Sequence, residues 1–275
     1  MRVFALSDLH ADYPENLAWL RGLGAGVSAD QSSDQSSDHE AGDYRADLLI
    51  LAGDVSDDLQ VLEQVLRLLS ERFAQVLFVP GNHDLWVRSG DHDCSLEKYQ
   101  AVNALCHKLG VITDVYQTGS LSLVPLLGWY DFSFGEPDKY LRRAWRDFRA
   151  CRWPADLDSA AAVTDYFLKL NQPRLTARND TVISFSHFLP SLAVMPAQIP
   201  VHRRRVYPVL GSDRLGEQVR ALQPDLHIYG HSHVNQVINL EGTTFVNNAF
   251  AYPDEQRISR KRLLCVWDSD TGLQC

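Results

Sequence analysis

No stretch of this chain approaches the ~20 consecutive apolar residues that cross a bilayer as a helix, which excludes an integral helical membrane protein. Cysteine is scarce. Cys94, Cys106, Cys151, Cys265 and Cys275 have no paired spacing and are odd in number, which argues for free thiols rather than a disulfide framework. Positive charge is also short, with 26 Lys and Arg against 35 Asp and Glu, a net charge of -9 and a pI near 5.5. A surface of that sign does not attract polyanions as a whole, as a nucleic-acid-binding domain does. What positive charge there is lies locally, in residues 139–152 and in Arg203, Arg204 and Arg205. Nor does an apolar leader precede the first strand-like run, residues 3–6, and cleavage there would remove the first candidate site. The expected location is the cytoplasm.

The 275 residues, 45% hydrophobic and 22% charged, suit a globular chain with a full core, read as a single domain over 1–275. Strand-like runs alternate with amphipathic helices over the first 110 residues, at about 15–23, 59–72 and 96–109, which is a βαβ pattern. Leu59, Leu62, Val65, Leu66 and Leu69 recur at the 3.6-residue period of one buried face. Residues 28–43, with the near-repeat over 30–38, carry nothing apolar enough to offset the entropy of ordering and are expected to form a disordered loop insertion. Beyond residue 111 short strands joined by polar turns predict partly antiparallel pairing. An aromatic stretch containing Trp129 and Tyr130 follows, read either as a core plug or as a pocket wall in contact with substrate. Residues 132–180 are expected to form a helical insertion or cap, with helices on either side of Trp153-Pro154.

Five short segments carry the chemistry: Asp8-Leu9-His10, Gly53-Asp54, Gly81-Asn82-His83-Asp84, Ser186-His187 and Gly230-His231-Ser232-His233. Each follows a hydrophobic strand-like run, and loops at the carboxyl ends of strands are where α/β proteins gather residues from distant parts of the chain. Asp, Asn and His together suit divalent cations of borderline hardness, and shared carboxylates offset the repulsion between two of them. The pattern points to a two-metal hydrolytic centre. His227, inside a strand-like run, reads as a satisfied core residue instead. His39, His92 and His107 have no partner at ligand spacing.

In this order the five segments resemble the calcineurin-like metallophosphoesterase superfamily, and the match runs from Asp8 to His233. The resemblance implies a four-layer α/β/β/α sandwich of two mixed β-sheets flanked by helices, with a dinuclear site at one edge. Asp8, His10, Asp54 and His233 would hold one metal, and Asp54, Asn82, His187 and His231 the other. It further implies attack on phosphorus by a hydroxide bridging the metals, with His83 as an electrostatic clamp or acid over the phosphate. Asp57 would either fix the tautomer of His83 or cap the helix that begins at Leu59. It stands where purple acid phosphatases carry a tyrosine ligand, so a ferric-tyrosinate site is not expected. Mn²⁺, Fe²⁺ and Zn²⁺ remain open.

Arg203, Arg204 and Arg205 follow His187 through a proline-marked loop and are candidate substrate contacts, or a solvated turn. Arg142, Arg146 and Arg149 fall on one face of an expected helix. The resemblance implies a phosphate-ester substrate, small-molecule or nucleotide, monoester or diester. A nuclease acting on DNA or RNA is the alternative enzyme and nucleic acid the less favoured partner; a non-catalytic scaffold or binding module of the same fold is the alternative of another class.

Overall fold

The computed structural model describes residues 1–24, 42–87, 92–177 and 179–275. The expected loop insertion lies outside the described residues, except for its last two positions. Strands β1 (Arg2–Leu6), β2 (Leu48–Ala52) and β3 (Gln75–Val79) pair in parallel, and β10 (Leu264–Asp268) and β11 (Gly272–Leu273) extend them in antiparallel fashion in the order β11-β10-β1-β2-β3. A second sheet has the order β4-β5-β6-β7-β9-β8. Its strands are β4 (Tyr116–Thr118), β5 (Leu121–Pro125), β6 (Thr181–Phe185), β7 (Leu226–Tyr229), β8 (Gln236–Leu240) and β9 (Thr243–Asn247). Here β5, β6, β7 and β9 are parallel, while β4 and β8 pair antiparallel at the edges.

Two-residue alternation along the strands makes the layers. Val3, Ala5, Leu48, Ile50 and Leu77 face Leu123, Ile183, Phe185 and Ile228 across the gap between the sheets. The intervening residues Phe4, Leu6, Leu49, Leu51 and Phe78 face outward and are covered by α1 (Pro14–Gly22), α2 (Leu59–Ser70) and α3 (Ser95–Leu109). On the far side, α6 (Ala160–Asn171) buries Val163, Phe167 and Leu168, and α7 (Asp213–Leu222) buries Leu215, Val219 and Leu222. The expected α/β/β/α order is thus present. Among the described residues no helix is long and apolar enough to cross a membrane.

The insertion between β5 and β6 differs from expectation. Among the described residues it holds three α-helices, α4 (Lys139–Ala144), α5 (Asp147–Ala150) and α6. The last is part of the outer helical layer, so only the 139–150 portion overhangs the strand ends. Arg142, Arg146 and Arg149 do not share one helical face, because the chain turns extended at Trp145 (φ -70°, ψ 122°). The break has a cause: Trp145 Nε1 donates to Oδ2 of the buried Asp147, 2.8 Å away.

Candidate metal centre

The five segments meet at the carboxyl ends of β1, β2, β3, β6 and β7. Asp8, His10, Asp54, His231 and His233 all take positive φ, between 41° and 66°. That region is costly for non-glycine residues and is held only where the surroundings demand it, as at functional sites. Gly53 and Gly81 allow the close approach, since a Cβ on the first would collide with the His187 ring and one on the second with the Asp54 carboxylate.

Two clusters form. In one, His10 Nε2 lies 3.0 Å from His233 Nε2, which is 3.3 Å from Asp8 Oδ1. In the other, His187 Nε2 is 3.1 Å from His231 Nδ1, 3.1 Å from Asn82 Oδ1 and 3.5 Å from Asp54 Oδ2. Ligand atoms of Asp8, His10 and His233 lie within 4.8 Å of one another, as do those of Asp54, His187 and His231 and those of His10, Asp54 and His83. Asp54 therefore stands between the clusters.

The tautomers test the fit to a cation. His187 Nδ1 faces the Ala52 carbonyl at 2.9 Å and His231 Nε2 faces that of Val209 at 3.0 Å. Each nitrogen must carry the proton to donate, so the lone pairs of His187 Nε2 and His231 Nδ1 are turned on each other. Two lone pairs and two carboxamide or carboxylate oxygens converging on one point make a cation ligand set, not a hydrogen-bond network. His233 is set in the same way: its Nδ1 donates to Glu255 Oε2 at 2.6 Å, leaving Nε2 for the first cluster.

Electrostatics agree. Burial, with the neighbouring imidazoles, holds His10 well below its ordinary pKa, and burial takes His187 to about 3 and His231 to about 4. All three are neutral ligands near pH 7. Burial raises Asp54 well above its usual value, and the charges of Asp84 and Asp8 add to this. Burial would lower His233 too, but the charge and hydrogen bond of Asp8 and the Glu255 contact prevail and lift it to about 9. Excess proton affinity at Asp54 and His233 marks a site that calls for positive charge.

Three acids complete the site without having been assigned roles from sequence. Asp84 is buried and accepts the backbone N–H groups of Gly81, Asp54, Val55 and Ser56 at 2.8–3.1 Å, tying the loop after β2 to that after β3. Asp147 Oδ1 accepts from Asn82 Nδ2 at 2.8 Å and from Trp86 Nε1 at 2.7 Å. This fixes the Asn82 amide with its oxygen toward the metal cluster. Glu255 does the same for His233. Only Asp84, inside its motif, had a local signal; Asp147 and Glu255 lie 65 and 22 residues from the groups they orient.

A cavity of about 410 Å³ opens over the centre, lined by His10, Asp57, Asn82, His83, Trp86 and Arg146 among others. His83 stacks on Trp86 with ring centroids 3.6 Å apart, and its Nε2 is 3.8 Å from Asp54 Oδ2. Burial and the surrounding imidazoles hold it well below its ordinary pKa. Asp57 lines the same cavity, and its carbonyl accepts from the buried Lys98 ammonium at 2.9 Å. The cap of α2 is Asp58, not Asp57: Asp58 Oδ1 accepts from Gln60 N and Val61 N. Trp129 and Tyr130 are 1% and 2% exposed within the outer core, so packing, not a pocket wall, is where the structure places them. Arg203, Arg204 and Arg205 lie on a 3₁₀ segment (Val201–Val209) and do not line this cavity; Arg146 does. His227 sits buried between Ser184 Oγ and Ser186 Oγ, as a satisfied core residue should.

The model of the calcineurin-like phosphoesterase family matches residues 1–235. Among characterised proteins, the acyl-carrier-protein phosphodiesterase PptH of Mycobacterium tuberculosis is 35% identical over 97 residues, 32% of this chain and 30% of that protein. The match thus spans less than a third of that relative's length. The crystal structure of the phosphopantetheinyl hydrolase PptH from Mycobacterium tuberculosis is similar throughout, with a TM-score of 0.74 at 24% identity over 99% of this chain and 98% of that one. At that identity the likeness is one of fold.

Proposed function

The chain belongs to the calcineurin-like phosphoesterase family and is a metal-dependent hydrolase of phosphate esters, and from that premise we propose that it cleaves a phosphodiester on a protein, the phosphopantetheinyl group of an acyl carrier protein. The observation that carries the chemistry is Asp54, which belongs to ligand groups on both sides of it beneath the cavity that holds His83. The substrate class is taken from the relative with the 97-residue match.

In this reading Asp8, His10, Asp54 and His233 hold one divalent ion and Asp54, Asn82, His187 and His231 a second. The mixed N/O donor set suits Mn²⁺, Fe²⁺ or Zn²⁺. When bound, such ions supply Lewis acidity toward phosphoryl oxygens and ionise water near neutral pH. His83, kept neutral by burial and held flat against Trp86, donates an N–H hydrogen bond to a phosphoryl oxygen as charge develops there. Asp57, on the same wall, is assigned to fix its tautomer. Asp147 and Glu255 keep Asn82 and His233 aimed. Five free cysteines suit the reducing cytoplasm proposed for the chain. A nuclease reading is supported only by the local arginines of residues 139–152 and 203–205, and the net charge of -9 opposes it.

The test is mass spectrometry of a holo acyl carrier protein after incubation with metal-loaded enzyme, with Asp54→Asn as control. Release of the phosphopantetheinyl group by the wild type alone supports the assignment. Turnover of a chromogenic diester with the carrier left intact would refute the substrate and leave the hydrolase.

A further inference from the structure

The basic residues of this acidic chain are not spread evenly. Lys139, Arg143 and Arg146 on one segment and Arg203, Arg204 and Arg205 on another are all exposed. The two segments are joined. Arg205 Nε lies 2.9 Å from Asp138 Oδ2, and its guanidinium sits 4.8 Å from the Tyr140 ring centroid. Asp138 in turn caps α4 through Leu141 N at 2.7 Å. α4 spans about 9 Å at 1.5 Å per residue, and at its end Ala144, Trp145 and Arg146 line the catalytic cavity. The basic face therefore begins at the cavity rim and runs one helix length away from it.

This is more than a solvated turn. Tyr140 is 64% exposed and Val201 79% exposed, so two large apolar groups stand in water among the arginines. The acids on the face, Glu136 and Asp138, are engaged by Arg142 at 3.7 Å and by Arg205. Among the described residues Lys139, Arg143, Arg146 and Arg203 form no ion pair, so the face keeps a surplus of positive charge. Such a mixture of unpaired cations around apolar anchors is the make-up of a protein-docking rim.

We propose that this face docks an acidic protein surface, with Tyr140 and Val201 as apolar contacts, and so presents that protein's phosphodiester arm to the cavity. The inference rests on the carrier-protein reading above and names the surface that would recognise the carrier. A nucleic acid is the poorer occupant, because the chain as a whole carries a net charge of -9, which repels a polyanion.

The experiment compares metal-loaded wild type with the double variant Lys139→Glu/Arg143→Glu, neither residue lying in the cavity lining. Turnover of bis-p-nitrophenyl phosphate should agree within about twofold, which also certifies folding. For a holo acyl carrier protein, KM should rise about tenfold or more with kcat retained, and raising salt should raise KM for the wild type but not for the variant, since exposed charges are screened within ~10 Å at 0.1 M. Binding of the same carrier without its arm, followed by fluorescence anisotropy, reads docking independently of hydrolysis and should weaken in parallel. Equal binding and equal KM in both proteins would overturn the docking face even if the carrier is a substrate. No carrier binding by the wild type would overturn it too, and so would variant-sensitive binding of a single-stranded oligonucleotide in place of the carrier.

Discussion

Asp147→Asn tests whether a residue of the insertion governs a metal ligand. The wild-type carboxylate accepts three N–H hydrogen bonds, from Asn82 Nδ2, Trp86 Nε1 and Trp145 Nε1, at 2.7–2.8 Å, and the Tyr130 hydroxyl bonds it as well. The substitution preserves shape but places an NH₂ group opposite at least one of these three N–H donors, and it removes the charge that strengthens the rest. A hydrogen bond to a charged group contributes roughly 1.5–3 kcal/mol, and each 1.4 kcal/mol is about tenfold in affinity. The metal held by Asn82, His187 and His231 should therefore bind roughly 10- to 100-fold more weakly. The metal held by Asp8, His10 and His233 should be little affected. Stepwise metal titration of the apoprotein by calorimetry separates the two, and the protein's circular dichroism checks the fold. Two unchanged affinities in a folded variant would refute the orienting role; equal loss at both would show instead a general collapse of the site.

Legibility followed sequence distance. The convergence of the candidate ligands was readable because each lies just after a hydrophobic run that reads as a buried strand, and strand ends in such sheets point to one edge. The four layers followed from the same runs together with the family pattern, as the alternation of Val3 and Ala5 inward with Phe4 and Leu6 outward bears out. The supporting acids were not readable, since nothing local distinguishes Asp147 or Glu255 from a surface carboxylate until the fold delivers each to a donor on another element. The helical face drawn through Arg142, Arg146 and Arg149 failed for a related reason. Helical periodicity there competes with one buried acceptor, Asp147, and the pull of Trp145 and Trp86 on it breaks the helix that the spacing predicts. Trp129 and Tyr130 show the limit of composition: aromatic density at a strand end is the same signal for a wall and for a plug, and only burial separates them.

Further outcomes are expected from the same geometry. His83→Ala should keep near-normal metal content while lowering kcat by about 10²- to 10⁴-fold, measured at saturating chromogenic ester; loss of metal instead would make it a ligand. Asp58→Ala should cost about 1 kcal/mol of stability in urea unfolding through loss of the α2 cap while leaving turnover intact, whereas Asp57→Asn should act on turnover. Glu255→Gln should weaken the metal bound by His233 by roughly tenfold, visible in competition with a chelator, and leave the Asn82-side metal alone. Stability should fall in acid through His227. Ser186 Oγ donates to the Phe188 carbonyl at 2.7 Å and so accepts His227 Nε2–H at 3.0 Å, while Ser184 Oγ donates to Nδ1 at 2.7 Å. The ring is thus built to be neutral, and burial lowers its pKa from 6.5 to about 3. The unfolded chain takes up this proton below pH 6.5 while the folded chain does not until about pH 3. Stabilisation present at neutral pH is accordingly lost as pH falls through that window, at about 1.4 kcal/mol per pH unit. In urea unfolding the wild type should lose about 0.7 kcal/mol more than His227→Asn between pH 7 and 6, and about 1.2 kcal/mol more between pH 6 and 5, although the variant starts lower. Parallel pH dependences would mean that His227 is already charged in the fold, and that one of the two serines has turned to accept from it.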